Sequence, residues 1–246
     1  MTFKHTSSSG NFLVATFQTK TLSTYAQNLD YLIDYITDSN ADLIVAPELA
    51  LTNFDYENFE RVALFYEIAI KRLLEVVGSK ILVLSLTVKE NNDFFNRAVV
   101  LNRGKIVYSQ DKYKLFKLGD EQHYFKAGQK DKITTFEIDG VKYALLICFE
   151  LRFKELWNQI EGADIVVIPA RWGKPRKEHL EVLSRALAIM NQTFVVVSNS
   201  ADEDMASSSA IISPWGDIFA DDKLEVIEQK IELKDVKRIR RLIVMD

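Results

Sequence analysis

The chain has 246 residues, 48% hydrophobic and 27% charged, the balance of a globular enzyme and not of a disordered or fibrous protein. Its formal net charge of −4, from 31 basic and 35 acidic residues, argues against nucleic acid as a partner, which would call for a concentrated basic face. With a single cysteine, Cys148, no intrachain disulfide can form, and no run approaches the roughly 20 apolar residues that span a bilayer.

The first ten residues, MTFKHTSSSG, are polar and lack the apolar core of a signal peptide, so the cytoplasm is the expected compartment. His5, His123 and His179 lie far apart in no metal-ligand spacing, so neither a metal nor another cofactor is expected.

In chain order, Phe12 to Phe17 predicts a strand. Leu22, Tyr25, Leu29, Leu32, Ile33 and Ile36 then recur at helical spacing over 22–38. Leu43 to Ala46 predicts a short buried strand ending at Pro47, residues 58–77 a helix, and Ile81 to Val88 a strand. Ala98 to Leu101 and Ile106 to Tyr108 flank a turn at Asn102-Arg103-Gly104, and a second hairpin over 133–147 turns at Asp139-Gly140. Its second arm, Val141 to Ile147, runs into Cys148. A helix is predicted over 152–161, a strand over 164–168, a helix over 176–191, a strand over 193–198 and a last hairpin turning at Pro214-Trp215-Gly216-Asp217. The basic run Lys234, Lys237, Arg238, Arg240 and Arg241 reads as a solvated helix face.

This alternation gives an α/β class, and no Pro/Gly/Ser linker divides it, so 1–246 is read as a single domain with residues 1–10 a polar extension. There is also an internal echo, ADLIVAP at 41–47 and ADIVVIP at 163–169, each followed by strand, Gly-containing turn and strand. Two apolar strands can match by chance; a true repeat would imply two similar sheets in a layered sandwich.

Three strand-end residues can carry chemistry. Cys148 closes YALLIC ahead of the polar segment FELRF, which is expected to open a helix. A helix start would supply unpaired N–H groups that favour a thiolate and an oxyanion. The alternative is a small buried hydrophobe. Glu48 ends LIVAPE and reads as a surface acid after a turn or as a general base whose pKa is raised by apolar neighbours. Lys112, in SQDKYKLFKLGDE, reads as a solvated lysine or as the ammonium that steadies a thiolate and then a tetrahedral oxyanion. Pairing of Cys148 with His123 or His179 is a further alternative, without a local signature.

At these positions the chain resembles the nitrilase superfamily, carbon–nitrogen hydrolases with a Glu-Lys-Cys triad. The motifs are IVAPELALTNF (44–54), DKYKLFKLGDE (111–121) and LLICFELRF (145–153), with PARWGKPRKEH (169–179), RALAIMNQTFVVVSN (185–199) and SPWGD (213–217) trailing. The resemblance implies a four-layer α-β-β-α sandwich, usually a homodimer with helical layers packed together. It implies catalytic Glu48, Lys112 and Cys148, with Glu121 positioning Lys112 and the leaving group, and the Phe149 backbone N–H at the oxyanion. Within the superfamily the chain looks most like the small bacterial omega-amidases. That implies a small-molecule amide of a dicarboxylic acid as substrate, with no cofactor, nucleic acid or membrane involved.

Several positions depart from that group: Lys114 stands where histidine is frequent, Glu150 where aspartate is usual, Arg171 where asparagine is common and Gly173 where proline is frequent. Arg171 reads as a grip for a substrate carboxylate or as a surface arginine paired with a neighbouring acid. Trp172 and Phe54 read as pocket walls or as core aromatics. An N-carbamoyl amidohydrolase, an acyl-transferring relative and a non-catalytic metabolite-binding member of the same fold remain alternatives.

Overall fold

The strands of this protein send alternate side chains into two separate cores, which is why they read as unbroken apolar runs. In the computed structural model, which describes residues 12–245, four strands show this at once: β1 (Phe12–Phe17), β2 (Leu43–Val45), β3 (Ile81–Glu90) and β4 (Asp93–Asn102). Val14, Leu43, Val45, Ile81, Val83 and Val100 face one core. Their neighbours Ala15, Ile44, Leu82, Leu84, Val99 and Leu101 face the other.

That second core is closed by α1 (Tyr25–Asp38) through Leu29, Leu32 and Ile36, and by α2 (Phe59–Val76) through Ala69, Ile70 and Leu73. Thr24 caps α1, its hydroxyl accepting the Gln27 N–H at 3.2 Å. The other core lies between this sheet and a second one and extends to the second sheet's helices. Each fully buried Leu, Ile or Val contributes about 1.5–3 kcal/mol of transfer free energy.

After β5 (Lys105–Asp111) and the one-turn α3 (Glu121–Tyr124), the chain builds the second sheet. Its elements are β6 (Phe136–Ile138), β7 (Val141–Leu145), α4 (Lys154–Gln159), β8 (Ile165–Ala170), α5 (Lys177–Met190), β9 (Phe194–Asn199), β10 (Ala210–Ile212) and β11 (Ile218–Phe219). Then β12 (Val226–Ile231) returns to the first sheet and α6 (Lys234–Leu242) ends the described fold. The six-stranded sheets run β12-β1-β2-β3-β4-β5 and β11-β10-β9-β8-β7-β6. In each, three central strands are parallel, β1-β2-β3 and β7-β8-β9, and the flanking pairs are antiparallel.

Strands β1 to β5 and β7 to β11 therefore share one connectivity, the sixth strand alone differing (β12 returning late in the chain, β6 leading directly into β7), and the echo at 41–47 and 163–169 marks equivalent strands, β2 and β8. The layered sandwich expected from the sequence is the architecture found. Across the interface, Thr16 donates to the Val197 carbonyl at 2.7 Å and Ser198 to that of Phe17 at 2.8 Å, so buried hydroxyls stitch sheet to sheet.

Three expectations change. The first hairpin turns on two residues, Arg103 and Gly104, both left-handed (φ 50° and 69°), as twisted strands require; Asn102 belongs to β4. The stretch 148–152 is a 3-10 turn, and the helix predicted over 152–161 occupies only Lys154–Gln159. The cause is local: Cys148 is left-handed (φ 49°) and Phe153 extended (φ −106°, ψ 98°), so no α-helix can run through either. α6 is amphipathic, with Val236 and Ile239 buried and Arg240 paired with Asp164 at 3.3 Å, in line with a solvated basic face. The N-terminal extension, 1–10, lies outside the described residues.

Candidate active site

Parallel strands collect loops at their carboxyl ends, and here the ends of β2, β5, β7 and β8 meet. After β2 the backbone reaches Glu48, whose N–H donates to the Ala170 carbonyl at the end of β8, 3.2 Å away. Leu49 then turns left-handed (φ 47°), its N–H held by the Ser85 hydroxyl at 2.9 Å. A left-handed backbone costs an ordinary residue about 1–2 kcal/mol. Leu49 and Cys148 bear that strain beside the site, where it serves to aim a side chain.

Lys112 follows β5 and is pinned through its backbone: its N–H donates to the Asn96 carbonyl, and its own carbonyl accepts from Gly128, both at 2.9 Å. Gly128 is required by close approach, since a Cβ there would stand 2.3 Å from the Asp111 carbonyl oxygen.

The side chains converge as well. The Lys112 ammonium lies 2.7 Å from Glu48 Oε1 and 2.7 Å from Glu121 Oε1. It is completely buried, and the two carboxylates nearly so. Asn96 donates to the same Glu48 oxygen at 2.8 Å, while Glu48 Oε2, buried as well, has no hydrogen-bond partner among the described residues. The unpaired carboxylate expected from the sequence is thus unpaired on one oxygen only. Glu121 Oε2 accepts the Phe116 N–H at 3.0 Å, which fixes its orientation.

Burial by itself would pull the ammonium of Lys112 down; the adjoining charges of Glu48 and Glu121 together outweigh it and hold the group above its ordinary value. Burial raises Glu121, and Lys112 only partly offsets it. Burial, then the charge of Glu48, raises the Cys148 thiol well above its usual value, against the opposing pull of Lys112 and of the Arg171 backbone N–H.

Glu48, Glu121 and Cys148 share the wall of a cavity of about 470 Å³, with Phe54, Tyr56 and Phe116 on its apolar side. Tyr56 stacks on Tyr124 with ring centroids 3.8 Å apart and donates to the Gly119 carbonyl at 3.1 Å, joining the loop after Glu48 to the helix carrying Glu121. Among the described residues no cluster of three or more His, Cys, Asp or Glu side chains is arranged to hold a metal. None of their helices is long and apolar enough to cross a membrane.

Residues 13–241 match the family model described as carbon–nitrogen hydrolase. The chain belongs to the carbon–nitrogen hydrolase family. It is 34% identical over 218 residues to the 2-oxoglutaramate amidase of Bacillus subtilis (strain 168), covering 83% of each chain. To the omega-amidase of Escherichia coli (strain K12) it is 30% identical over 141 residues, 55% of this chain and 54% of that one. An amidase from Nesterenkonia sp. shares the fold with a TM-score of 0.82 at 19% identity, over 96% of this chain and 95% of that one.

In this carbon–nitrogen hydrolase the remaining sequence-expected residues divide. Phe54 walls the cavity, edge-to-face with Tyr56 and Phe125. Phe149 is the second residue of the 3-10 turn, and its N–H meets no acceptor among the described residues. Trp172 is buried beside Cys148, its indole N–H donating to the Arg176 carbonyl at 2.7 Å. Arg171 pairs with an acid, the second of its two expected readings, but from inside the wall and not on the surface: its side chain is only 4% exposed, ion-paired to Asp202 and bonded to the Thr21 hydroxyl at 3.3 Å. Arg171 lines the cavity beside Cys148, with its guanidinium engaged by Asp202 within the wall.

Sequence reasoning missed the guanidinium groups that do stand open. Arg176 lines the cavity with its charge 5.2 Å above the Phe116 ring, and Arg152 lies 4.7 Å over Trp172 with His179 Nδ1 at 2.9 Å. Among the described residues neither has a carboxylate partner. Arg152 is held below its ordinary value by burial and by the like charge of Arg176. The PRKEH motif contained Arg176; nothing local distinguished it from Lys174 or Lys177. Asn96 was missed because only the apolar end of its strand was predicted.

Proposed function

We propose that the chain hydrolyses the terminal amide of a small carboxylated substrate, in the manner of an omega-amidase, through a thioester on Cys148. The observation that carries this is that Glu48 lines the cavity with Cys148, holds Lys112 through Oε1 and has, among the described residues, no partner at its buried Oε2.

Lys112 is one cation between two carboxylates, so a resting thiolate would add a third anion around it. Cys148 therefore rests as a thiol, and Glu48 takes the proton as sulfur attacks the amide carbon. The Lys112 ammonium and the Phe149 N–H receive the oxyanion, each such donor worth about 2.7–4 kcal/mol in the transition state. Glu48 returns the proton to the departing nitrogen, ammonia leaves, and water deprotonated by the same carboxylate hydrolyses the thioester to acid and free thiol. Glu121 orients Lys112 and the leaving group.

Two guanidinium groups of like charge without a carboxylate between them form a receptor for an anion. Arg176 and Arg152 take the substrate's carboxylate, and Phe54 and Trp172 exclude water from its carbon chain. The amidase names of the relatives support this class. The chain acts as a single domain without a cofactor, in the cytoplasm. It acts as a homodimer through the apolar side chains that α5 exposes, Val182, Ile189 and Met190, which light scattering in solution tests.

The deciding experiment incubates the protein with a 2-oxo dicarboxylic acid monoamide, its neutral methyl ester and an N-carbamoyl amino acid. Ammonia release and intact-mass spectra are followed. The acid amide is expected to turn over, with an acyl adduct on Cys148 that is absent from Cys148→Ser. Equal turnover of the neutral ester removes the carboxylate-recognition step, and turnover of the carbamoyl compound alone replaces the amide.

A further inference from the structure

Glu150 is a buried carboxylate that the mechanism above does not use. It is the third residue of the 3-10 turn that begins at Cys148, and its side chain is completely buried. Oε2 reaches back to the N–H of Ile147, the residue before the turn, at 2.7 Å. This is half of a capping box; isoleucine has no side-chain acceptor with which to return the bond. Oε1 leaves the turn altogether and accepts the N–H of Tyr113 at 2.7 Å, with that of Lys114 at 3.4 Å. Gln110 of β5 donates toward Oε2 at 3.5 Å. One carboxylate thus joins the backbone immediately before Cys148 to the backbone immediately after Lys112.

We propose that Glu150 is a positioning residue: its ionised carboxylate gathers the Ile147 and Tyr113 N–H groups onto opposite oxygens and so holds the Lys112 ammonium in register with the Cys148 sulfur. Only the anion does this well, because a protonated carboxyl turns one acceptor into a donor that faces an N–H. Either segment is then released.

The surroundings make protonation accessible near neutrality. Burial raises the carboxyl to about 7, and the N–H groups of Ile147 and Tyr113 offset it only in part. No ion pair to Glu150 is found among the described residues. The charged and titratable groups that bear on it are Lys112 from the adjoining loop and the Tyr108 hydroxyl of β5, while Cys148 and Arg152 share its turn. Lys114 is turned away to Glu155, 3.1 Å from its ammonium.

The inference rests on Cys148 and Lys112 acting together, as proposed above, and its test needs no knowledge of the substrate. Second-order alkylation of Cys148 by iodoacetamide is measured from pH 5.5 to 8.5 in wild type and Glu150→Gln, with circular dichroism to establish folding. The wild-type to variant rate ratio is expected to rise from near one at pH 5.5 to about 10–100 at pH 8.5, the scale of loss from an ångström of misalignment. A ratio constant across the range, which a merely structural defect would give, overturns the proposal, as does a ratio near one throughout. Should Glu150→Gln not fold, Glu150→Asp carries the test. Its anion is one methylene shorter and, on this backbone, reaches the two N–H groups less closely, so it is expected to react more slowly than wild type at pH 8.5 and equally at pH 5.5, and equal rates at both overturn the proposal. A wild-type thiol inert to iodoacetamide overturns the triad reading itself, and this inference with it.

Discussion

Glu48 and Lys112 share a contact of 2.7 Å through Glu48 Oε1, while Oε2 of the same buried carboxylate has no partner among the described residues. One oxygen is thus engaged by the ammonium, and the other is the one that the proposed mechanism uses as a base.

Glu48→Gln keeps the shape and removes both the base and one negative charge. Amide turnover is expected to fall by about 100- to 10,000-fold, the scale of a lost general base. The thiol is expected to move the other way: Glu48 is the charge that, after burial, most raises Cys148, so its removal should lower the thiol pKa. Thiolate ultraviolet absorbance followed against pH checks this. A variant titrating at or above wild type would dissociate Glu48 from the sulfur.

Lys112→Met should be costly beyond catalysis. It leaves Glu48 and Glu121 buried side by side without their cation, and breaking such a pair from one side costs about 3–5 kcal/mol. Urea unfolding at pH 8 is expected to show that loss. Much of it should be recovered at pH 5, where the stranded carboxyls can protonate in the fold. Equal losses at both pH values would mean that the cluster is not what stabilises the loop.

Glu150 gives the wild-type protein a pH dependence of definite sign. Its folded value, about 7, lies above the ordinary 4.5, so between them the folded state binds more protons than the unfolded one. The stabilisation is complete below about 4.5 and is lost as pH rises through 7, on the order of 3 kcal/mol from this group. The raised values of Glu121 and Cys148 act in the same direction. Melting temperature is expected to fall from pH 5 to pH 8 in wild type and to fall less in Glu150→Gln. An identical slope in the two would place the carboxyl in water.

The motifs made Glu48, Lys112 and Cys148 legible because each ends or follows a strand, and Glu121 because it closes the motif that holds Lys112. The repeat 41–47 and 163–169 even announced two sheets, since each copy needs its own helical cover. What stayed hidden depends on distant segments meeting. Asn96 supports Glu48 only because β4 lies two strands from β2 in the first sheet, and Asp202 takes Arg171 from 31 positions away. Helix propensity predicts an α-helix start behind Cys148 and does not foresee a left-handed cysteine (φ 49°), which breaks it.

Gly128→Ala tests how tightly the lysine is held from behind. The added methyl would meet the Asp111 carbonyl oxygen at 2.3 Å and its carbon at 2.8 Å, backbone atoms that cannot move aside as a flexible side chain would. Relief must come from shifting the strand end that presents Lys112, whose carbonyl accepts the Gly128 N–H. A loss of about 1–3 kcal/mol in stability is expected from overpacking, and about 10- to 100-fold in kcat from misalignment of the ammonium. KM should stay near wild type, because Arg176 and Arg152 are carried by other segments. Steady-state kinetics beside a urea melt separates the effects: a rise in KM with kcat intact would mean that the strand end moves as one body with the cavity.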